Sequence, residues 1–576
     1  MTKASFSSIV VNMDQKVLLN VLDRLEGTKT IVWDRYLMSL INSIISYQTL
    51  KEHQVVSHMK IDSLIQTEGQ VVFRTDHILY IVPPTVAATE ELIKSHLERV
   101  HTKDQRRHRV YFVPEVNFAH RDRLSKALPW MANNIYDLPL RWFPTDHPDF
   151  ASLNLMSVAP VMLMYEDWNE LYKCAKAIRQ IETSMGVLPR IVYKGYWAQQ
   201  VIKSVERLRK SEPDTTSQNI QSVDEIVLID RWLDPVTPLV MQQTFSGALD
   251  EIYGIDVLQS VKFDTATFYD EKKIPKELKD RPQFDHHLND DIYGDLCDVV
   301  HHDVPSKIQM FLREQMEEEQ KYRSLESIAK IRECVNAVAE VVKRKETISG
   351  HLRVLELIHH ELSLHHRSMY RLCELDILDN KYGDKPIPHI ENLLIDGDSL
   401  PSALRLIALQ SQMTNGLKIS TLQHYRRLVT QSFGLESLSW FIRLQIAGLI
   451  RCNDKSDKIV SPYKPIDFER LKKKFKLFVD DPSTDPMAKH YVGYVPLLTR
   501  ILQEGDSNGY REWSALEPAS EQAAKPKPAN APKSRLLFII GGTTRAEMGI
   551  IRENFDFKQC CTSATITGDT LIAAFK

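Results

Sequence analysis

Short apolar segments that alternate with helical stretches recur through the first 230 residues, and they constrain the fold more than any other feature of the sequence. The clearest segments are residues 30–34, His77–Val82, residues 110–113, residues 190–193 and Glu225–Asp230. Short buried strands separated by helices are typical of parallel sheets that are covered by helices. This part of the chain is therefore predicted to form α/β structure.

The C-terminal part of the chain returns to the same pattern. Arg535–Ile540 reads as a strand, followed by a Gly541-Gly542 turn, a helix near residues 546–554 and a last strand near residues 562–567. Two strands do not form a stable sheet alone. We expect them to complete a sheet that begins before residue 230, so that the second α/β domain is interrupted by a helical insertion. Ahead of them, the Ala-, Lys- and Pro-rich residues 515–534 are predicted to form a disordered loop.

The middle of the chain is predicted to be helical. Proline is missing between Pro305 and Pro386, which permits long helices there. Apolar residues recur with helical spacing in two stripes, one over residues 328–342 and one over residues 352–369. Gly350 lies between the stripes and is the expected turn between the two arms of a hairpin, placed within about residues 306–366.

These patterns predict an α/β plus α architecture with two parallel-sheet α/β domains and a large helical domain inserted in the second. We expect domain 1 over residues 1–137 and the first part of domain 2 over residues 138–239. The helical domain 3 is expected over residues 240–486. The second part of domain 2 is expected over residues 487–576.

Composition excludes several classes of protein. The chain has 73 basic and 76 acidic residues and a net charge of −3. This balance argues against a surface that is dominated by the binding of nucleic acid or anionic lipid. Its seven cysteines include no Cys-x-x-Cys pair, which favours a reducing, cytoplasmic compartment over a disulfide framework. The longest uncharged run, residues 150–165, is too short to span a bilayer. Membrane association is therefore expected only through partners.

The sequence shows no catalytic machinery. The phosphate-binding Gly-x-x-x-x-Gly-Lys-Ser/Thr loop, the dinucleotide Gly-x-Gly-x-x-Gly motif and the Gly-x-Ser-x-Gly elbow are missing. Histidines cluster over residues 359–366 without His-Glu-x-x-His spacing, and the pairs His286-His287 and His301-His302 have no third ligand at useful spacing. We therefore expect a binding protein without enzymatic activity, metal or cofactor.

One segment is more specific than the rest. Residues 228–239 read LIDRWLDPVTPL, and residues 243–254 continue as QTFSGALDEIYG. This stretch resembles the signature of the Sec/Munc (SM) family of SNARE-binding proteins. Residues 31–34, 50–53, 493–497 and 538–543 (IVWD, LKEH, GYVPL and FIIGGT) resemble its endosomal-lysosomal branch, whose class C member belongs to the HOPS and CORVET tethering complexes. The resemblance implies an arch built from two α/β domains and a helical third domain.

The resemblance also implies a function. An SM protein of this branch is expected to template SNARE assembly for endosome and lysosome (vacuole) fusion, on the helical hairpin of domain 3. In this chain the expected SNARE contacts are Val335, Val338, Val342, Lys343 and Arg344. The family often has a proline near the hairpin tip, and this sequence has none, so the hairpin is expected to stay extended.

A second surface is implied by the same resemblance. The large tethering-complex subunit that carries the SM protein is expected to dock on the later half of domain 3, where Leu435 and Leu438 share one helical face. Burial of these leucines in the domain core is an alternative that the sequence leaves open. The signature residues are expected to be structural, capping a helix and pairing charges at the domain junction: Asp230, Arg231, Asp234, Thr237 and Pro238.

Two other functions remain as alternatives to a SNARE chaperone. One is a structural scaffold of a trafficking complex without direct SNARE affinity, and the other is a nucleotide-binding α/β enzyme. The expected location is cytoplasmic and peripheral, on late endosome and lysosome (vacuole) membranes.

Overall fold

The computed structural model describes residues 6–66, 73–98, 107–147, 149–185, 188–211, 223–269, 274–323, 328–379, 384–397, 399–454, 459, 461–463, 466–518 and 534–576. Contacts divide the chain into two compact units, residues 1–154 and residues 155–576. Within the described ranges, none of the helices has the length and apolar character needed to cross a membrane.

The first unit is built on a five-stranded parallel sheet with the order β2-β1-β3-β4-β5, and its residues also include a short antiparallel pair, β6 and β7. Its strands are β1 (Lys29–Trp33), β2 (Val55–Lys60), β3 (His77–Val82), β4 (His108–Phe112), β5 (Ile135–Asp137), β6 (Phe143–Pro144) and β7 (Phe150–Ser152). Its helices are α1 (Phe6–Asp23), α2 (Arg35–Asn42), α3 (Tyr47–Glu52), α4 (Ile61–Gln66), α5 (Val86–Glu98) and α6 (Phe118–Ala127).

Burial explains why these segments form strands. The side chains of β1 are all buried, as are those of β3 after its first residue. A strand whose two faces are both covered by helices is mostly apolar, and β1 follows this pattern from Ile31 to Trp33. Lys29 at its start is buried because its Nζ donates to the carbonyls of Gly27 and His53. In the core of this unit, Val32, Tyr80 and Phe112 pack against residues of α5 and α6.

The second unit contains a sheet with the strand order β12-β8-β9-β13-β14. Its strands are β8 (Arg190–Lys194), β9 (Glu225–Asp230), β12 (Ser514–Leu516), β13 (Arg535–Ile540) and β14 (Gln559–Thr562). β9 pairs in parallel with β13 from Glu225↔Arg535 to Asp230↔Ile540. The C-terminal strands therefore complete a sheet that starts before residue 230, as the sequence predicts.

Besides short 3-10 helices, the second unit contains an antiparallel hairpin of β10 (Ser260–Asp264) and β11 (Gln283–His287) and a set of α-helices. The helices are α7 (Val158–Tyr165), α8 (Asn169–Met185), α9 (Tyr196–Ser211), α10 (Phe245–Ile252), α11 (Thr265–Phe268), α12 (Asp291–Leu296), α13 (Val304–Arg323), α14 (Ile328–Ser363), α15 (His365–Asp379), α16 (Ile387–Asp396), α17 (Leu400–Met413), α18 (Ile419–Phe433), α19 (Leu435–Ile446), α20 (Phe468–Phe475), α21 (Leu497–Ser507), α22 (Arg545–Asn554) and α23 (Gly568–Ala573).

The predicted turn at Gly350 is wrong. Gly350 lies inside α14, which runs without interruption from Ile328 to Ser363, so both apolar stripes begin on one helix. A Cβ at Gly350 would lie 3.1 Å from Cε1 of His286 on β11. A glycine in a helix interior costs about 1 kcal/mol relative to alanine, and here it gives room for that imidazole rather than a turn.

Two C-terminal expectations also need correction. The last strand is Gln559–Thr562 rather than residues 562–567, because Thr567 is the N-cap of α23 and forms a capping box with Thr570. The predicted loop over residues 515–534 begins too early, since Ser514–Leu516 pairs antiparallel with β8. Residues 519–533 of that loop lie outside the described ranges. The domain boundaries given above stay predictions.

Candidate partner-binding surfaces

The signature residues form a buried network after β9. Arg231 donates from Nη1 to both carboxylate oxygens of Glu547 on α22, at 2.7 Å each. Its Nε donates to the carbonyl of Asp234 at 3.0 Å. Burial lowers the pKa of Arg231, but the carboxylates of Glu547 and Asp234 raise it, and the net shift is upward. The guanidinium therefore stays charged and joins the end of β9 to the C-terminal part of the sheet.

Asp234 organises the turn that follows. Its carboxylate accepts hydrogen bonds from the backbone N–H and the hydroxyl of Thr237, and from the backbone N–H of Leu498 at 3.0 Å. Thr237 Oγ1 lies 2.9 Å from the hydroxyl of Tyr494, and Pro238 is buried in the same turn. The side chain of Asp230 accepts from the backbone N–H of Trp197 at 2.9 Å. The signature residues are thus buried among structural partners.

A second buried ion pair lies where the sheet meets the helices. Arg405 on α17 donates to both carboxylate oxygens of Glu251 on α10, at 2.7 and 3.0 Å, and to the carbonyl of Leu239 at 2.8 Å. Nearby, Glu374 on α15 accepts from the backbone N–H of Met241 at 2.9 Å through Oε1. Burial raises the pKa of Glu374 to about 7, although Arg405 opposes the shift.

The helices α13 and α14 contact each other and provide the surface on which SNARE binding is predicted. α14 alone spans about 54 Å at 1.5 Å per residue. Val342 is 50% exposed, and Lys343 beside it is exposed. Arg344 lies 3.9 Å from a carboxylate oxygen of Glu314 on α13. Val335 and Val338 lie on α14, and their side chains are outside the described part of the structure.

Contacts on both sides of Val342 fix this part of α14. Gln315 on α13 donates to the carbonyl of Val341 at 2.6 Å, and Ile348 is buried in the core that α13 and α14 share with β10 and β11. An open cavity of about 1020 Å³ lies along the next turns of α14, with Phe268, Tyr269 and Lys345 in its lining. An amphipathic helix that contacts Val342 would therefore meet a supported helix rather than a loop.

The predicted tether surface lies at the start of α19. Gly434, with φ of +84°, turns the chain from α18 into α19, and Leu435 directly after it is 74% exposed. Leu438 is half-buried, and the inward face carries Trp440 and Phe441. Of the two interpretations left open by the sequence, burial in the core does not apply to Leu435. Partner binding at this pair stays a prediction.

The structure brings together three histidines that the sequence does not connect. His301 and His302 precede α13, and His359 lies near the end of α14. Their ring nitrogens can be chosen so that all lie within 4.8 Å of one another. Burial and the neighbouring positive groups lower the pKa of His301 to about 3. The prediction that His301-His302 has no third ligand is therefore wrong, because the packing of α14 brings His359 close to them. His359 lies 57 positions after His302 in the sequence.

Comparison with known proteins identifies the family. The Sec1 family profile matches residues 29–573. Vacuolar protein sorting-associated protein 33A of Caenorhabditis elegans is 33% identical over 97% of this chain and 94% of its own length. The protein of the same name from Rattus norvegicus is 26% identical over 93% of this chain and 91% of its own length.

Solved structures agree with this fold. The SM protein Vps45 in complex with the Qa SNARE Tlg2 has a TM-score of 0.62 at 17% identity, covering 98% of this chain and 97% of that one. The Unc18–syntaxin 1 complex from Monosiga brevicollis has a TM-score of 0.64 at 15% identity, covering 100% and 99%. The predicted SM fold, with α/β domains and an inserted helical domain, is confirmed. The chain belongs to the Sec1 family.

Proposed function

We propose that this protein is a SNARE-binding chaperone that templates SNARE assembly for fusion of endosomal and lysosomal (vacuolar) membranes. Both relatives named above are vacuolar protein sorting-associated proteins, and the SM protein Vps45 was solved in complex with the Qa SNARE Tlg2 and Unc18 in complex with syntaxin 1. The single observation that carries the proposal is that Val342 is exposed beside Lys343 on α14. α13 supports this part of α14 through the hydrogen bond from Gln315 to Val341.

The proposed mechanism is binding rather than catalysis. A SNARE motif forms an amphipathic helix, and such a helix binds by placing its apolar face against apolar side chains on a partner surface. Residues Val335, Val338 and Val342 are the proposed apolar contacts, and Lys343 and Arg344 are the proposed contacts for acidic side chains. Holding a helix in a fixed orientation removes part of the entropic cost of the next association step.

We further propose that the protein acts as a subunit of the HOPS and CORVET tethering complexes, on the cytoplasmic side of late endosomes and lysosomes. Leu435 and Leu438 are the proposed contacts for the large subunit that carries it. The exposure of Leu435 supports this assignment, because a leucine that is 74% exposed on a folded helix is available to a partner.

A titration of the purified full chain with individual SNARE motifs tests the proposed function. A SNARE chaperone should bind at least one motif of an endosomal or lysosomal SNARE with one-to-one stoichiometry. A structural scaffold should bind none of them while still co-purifying with the tether subunit. A parallel titration with ATP and GTP should show no binding, and saturable nucleotide binding would favour the enzyme alternative.

A further inference from the structure

The three-histidine cluster lies at the base of the α13–α14 pair. Thr244 and Val300 form an isolated antiparallel bridge, and the backbone N–H of His301 donates to the carbonyl of Gln243 at 3.0 Å. This bridge fixes the backbone that carries His301 and His302 immediately before α13 begins. His359 reaches the same place from α14. The cluster therefore joins the chain that enters α13 to the helix that returns from it.

The neighbours of His301 define which of its ring nitrogens carries the lone pair. Nη2 of Arg371 donates to the side-chain oxygen of Gln243 at 2.8 Å, and arginine has only donors, so the oxygen faces that way. Nε2 of His301 lies 3.4 Å from the same oxygen and can interact with it only as a donor. The lone pair of His301 is thus on Nδ1, which lies 3.2 Å from Nε2 of His359.

This arrangement matches the donor set of a metal site. Zn²⁺ binds imidazole nitrogen at about 2.0–2.1 Å in tetrahedral geometry, which places two ligand nitrogens about 3.4 Å apart. The ring of His302 lies 3.9 Å from that of His301 and 6.2 Å from that of His359, centroid to centroid. A hydrogen bond between His301 and His359 would use two imidazoles, whereas a metal ion uses all three.

We propose that His301, His302 and His359 bind one divalent transition-metal ion of the zinc class. The contact from Gln243 to Nε2 of His301 is the outer-shell hydrogen bond that orients a metal-binding imidazole. Three protein ligands leave a fourth position for water on the side of the exposed His302. The charge of Arg371 opposes a cation here, and the neighbouring carboxylate of Asp303 favours it. The ion would fix the base of α13 and α14, a property beyond the proposed SNARE binding.

Calorimetric titration of the metal-stripped full chain with Zn²⁺ tests the site. The wild-type chain should bind one equivalent tightly, and the His302→Ala, His359→Ala and double variants should each lose affinity by at least about a hundredfold, since outer-shell changes alone cost ten- to a hundredfold. His360→Ala and His365→Ala change neighbouring imidazoles outside the cluster and should bind as the wild type does. Zn²⁺ should raise the melting temperature of the wild type and of these two controls only.

The Co²⁺-loaded protein separates this site from the cysteines. A three-imidazole site should show the visible absorption of four-coordinate Co²⁺ without a thiolate charge-transfer band. If His359→Ala fails to fold, His302→Ala still tests the proposal because His302 is exposed. Absence of Zn²⁺ binding by the wild type would overturn the proposal, and so would Zn²⁺ binding that His302→Ala leaves unchanged.

Discussion

At the scale of single residues, the family signature works through buried charge pairs. Arg231 and Glu547 are separated by 316 positions in the sequence, and their side chains are nearly inaccessible. Removing one partner of such a pair commonly costs about 3–5 kcal/mol, because the other charge is left buried. The sequence could indicate that Arg231 and Asp234 are structural. It could not supply Glu547 or Tyr494, because these partners depend on how distant segments return to the sheet.

Glu374 is a second case in which burial decides the behaviour of a charge. Its Oε1 accepts from Met241, whereas Oε2 is buried without a hydrogen-bond partner among the described residues. Burial disfavours the charged carboxylate and raises its pKa from 4.5 to about 7. A proton on Oε2 is therefore retained in the folded protein at pH values where the unfolded chain has lost it.

This difference predicts a pH dependence of stability. Below about pH 4.5 Glu374 is protonated in both states, and between 4.5 and 7 the folded state holds the extra proton, so the free energy of unfolding falls as pH rises through this window. The contribution is on the order of 3 kcal/mol. Urea unfolding of the wild type and Glu374→Gln at several pH values should show a shallower fall in the variant. Parallel curves would contradict the assignment.

At the scale of elements, periodicity predicts which segments are helical better than it predicts where they end. The stripe over residues 328–342 is helical as expected, but Gly350 lies inside α14, where a Cβ would crowd the ring of His286. In the sequence, a glycine that forms a turn between two periodic stretches cannot be told from a glycine that makes room for a close contact. Only the packing of β11 on the helix distinguishes these two cases.

The exposed start of α19 leads to a prediction for this element. Leu435→Asp with Leu438→Lys should leave the isolated chain folded, since Leu435 is 74% exposed, while abolishing co-purification with the large tether subunit. A matched control is Leu372→Asp on α15, which changes another leucine that is more than half exposed. Circular dichroism and co-purification of the three proteins provide the measurement. Retained co-purification of a folded double variant would move the tether surface elsewhere.

At the scale of the whole molecule, the sequence predicts which strands belong together even though it does not predict all of their contacts. The bounds of β3, β9 and β13 are those expected from their apolar runs, and β9 pairs with β13. That pairing could be predicted because the two C-terminal strands would not form a stable sheet by themselves. The histidine cluster could not be predicted in this way, because His359 approaches His301 only through the packing of α14 at the turn before α13.

The proposed function depends on binding of SNARE helices at the surface of α14. Desolvation of a valine by a partner contributes on the order of 1–2 kcal/mol, so Val338→Asp with Val342→Asp should weaken binding by at least about a hundredfold. Val86→Asp, which changes an exposed valine on α5, should bind as the wild type does.

The direct measurement is calorimetry of the full-length double variant with the SNARE motif that the wild type binds most tightly, alongside circular dichroism and co-purification with the tether subunit. If SNARE motifs bind on α14, the double variant should lose SNARE affinity while its helicity and its tether binding are unchanged. Unchanged SNARE affinity in a folded double variant would contradict it.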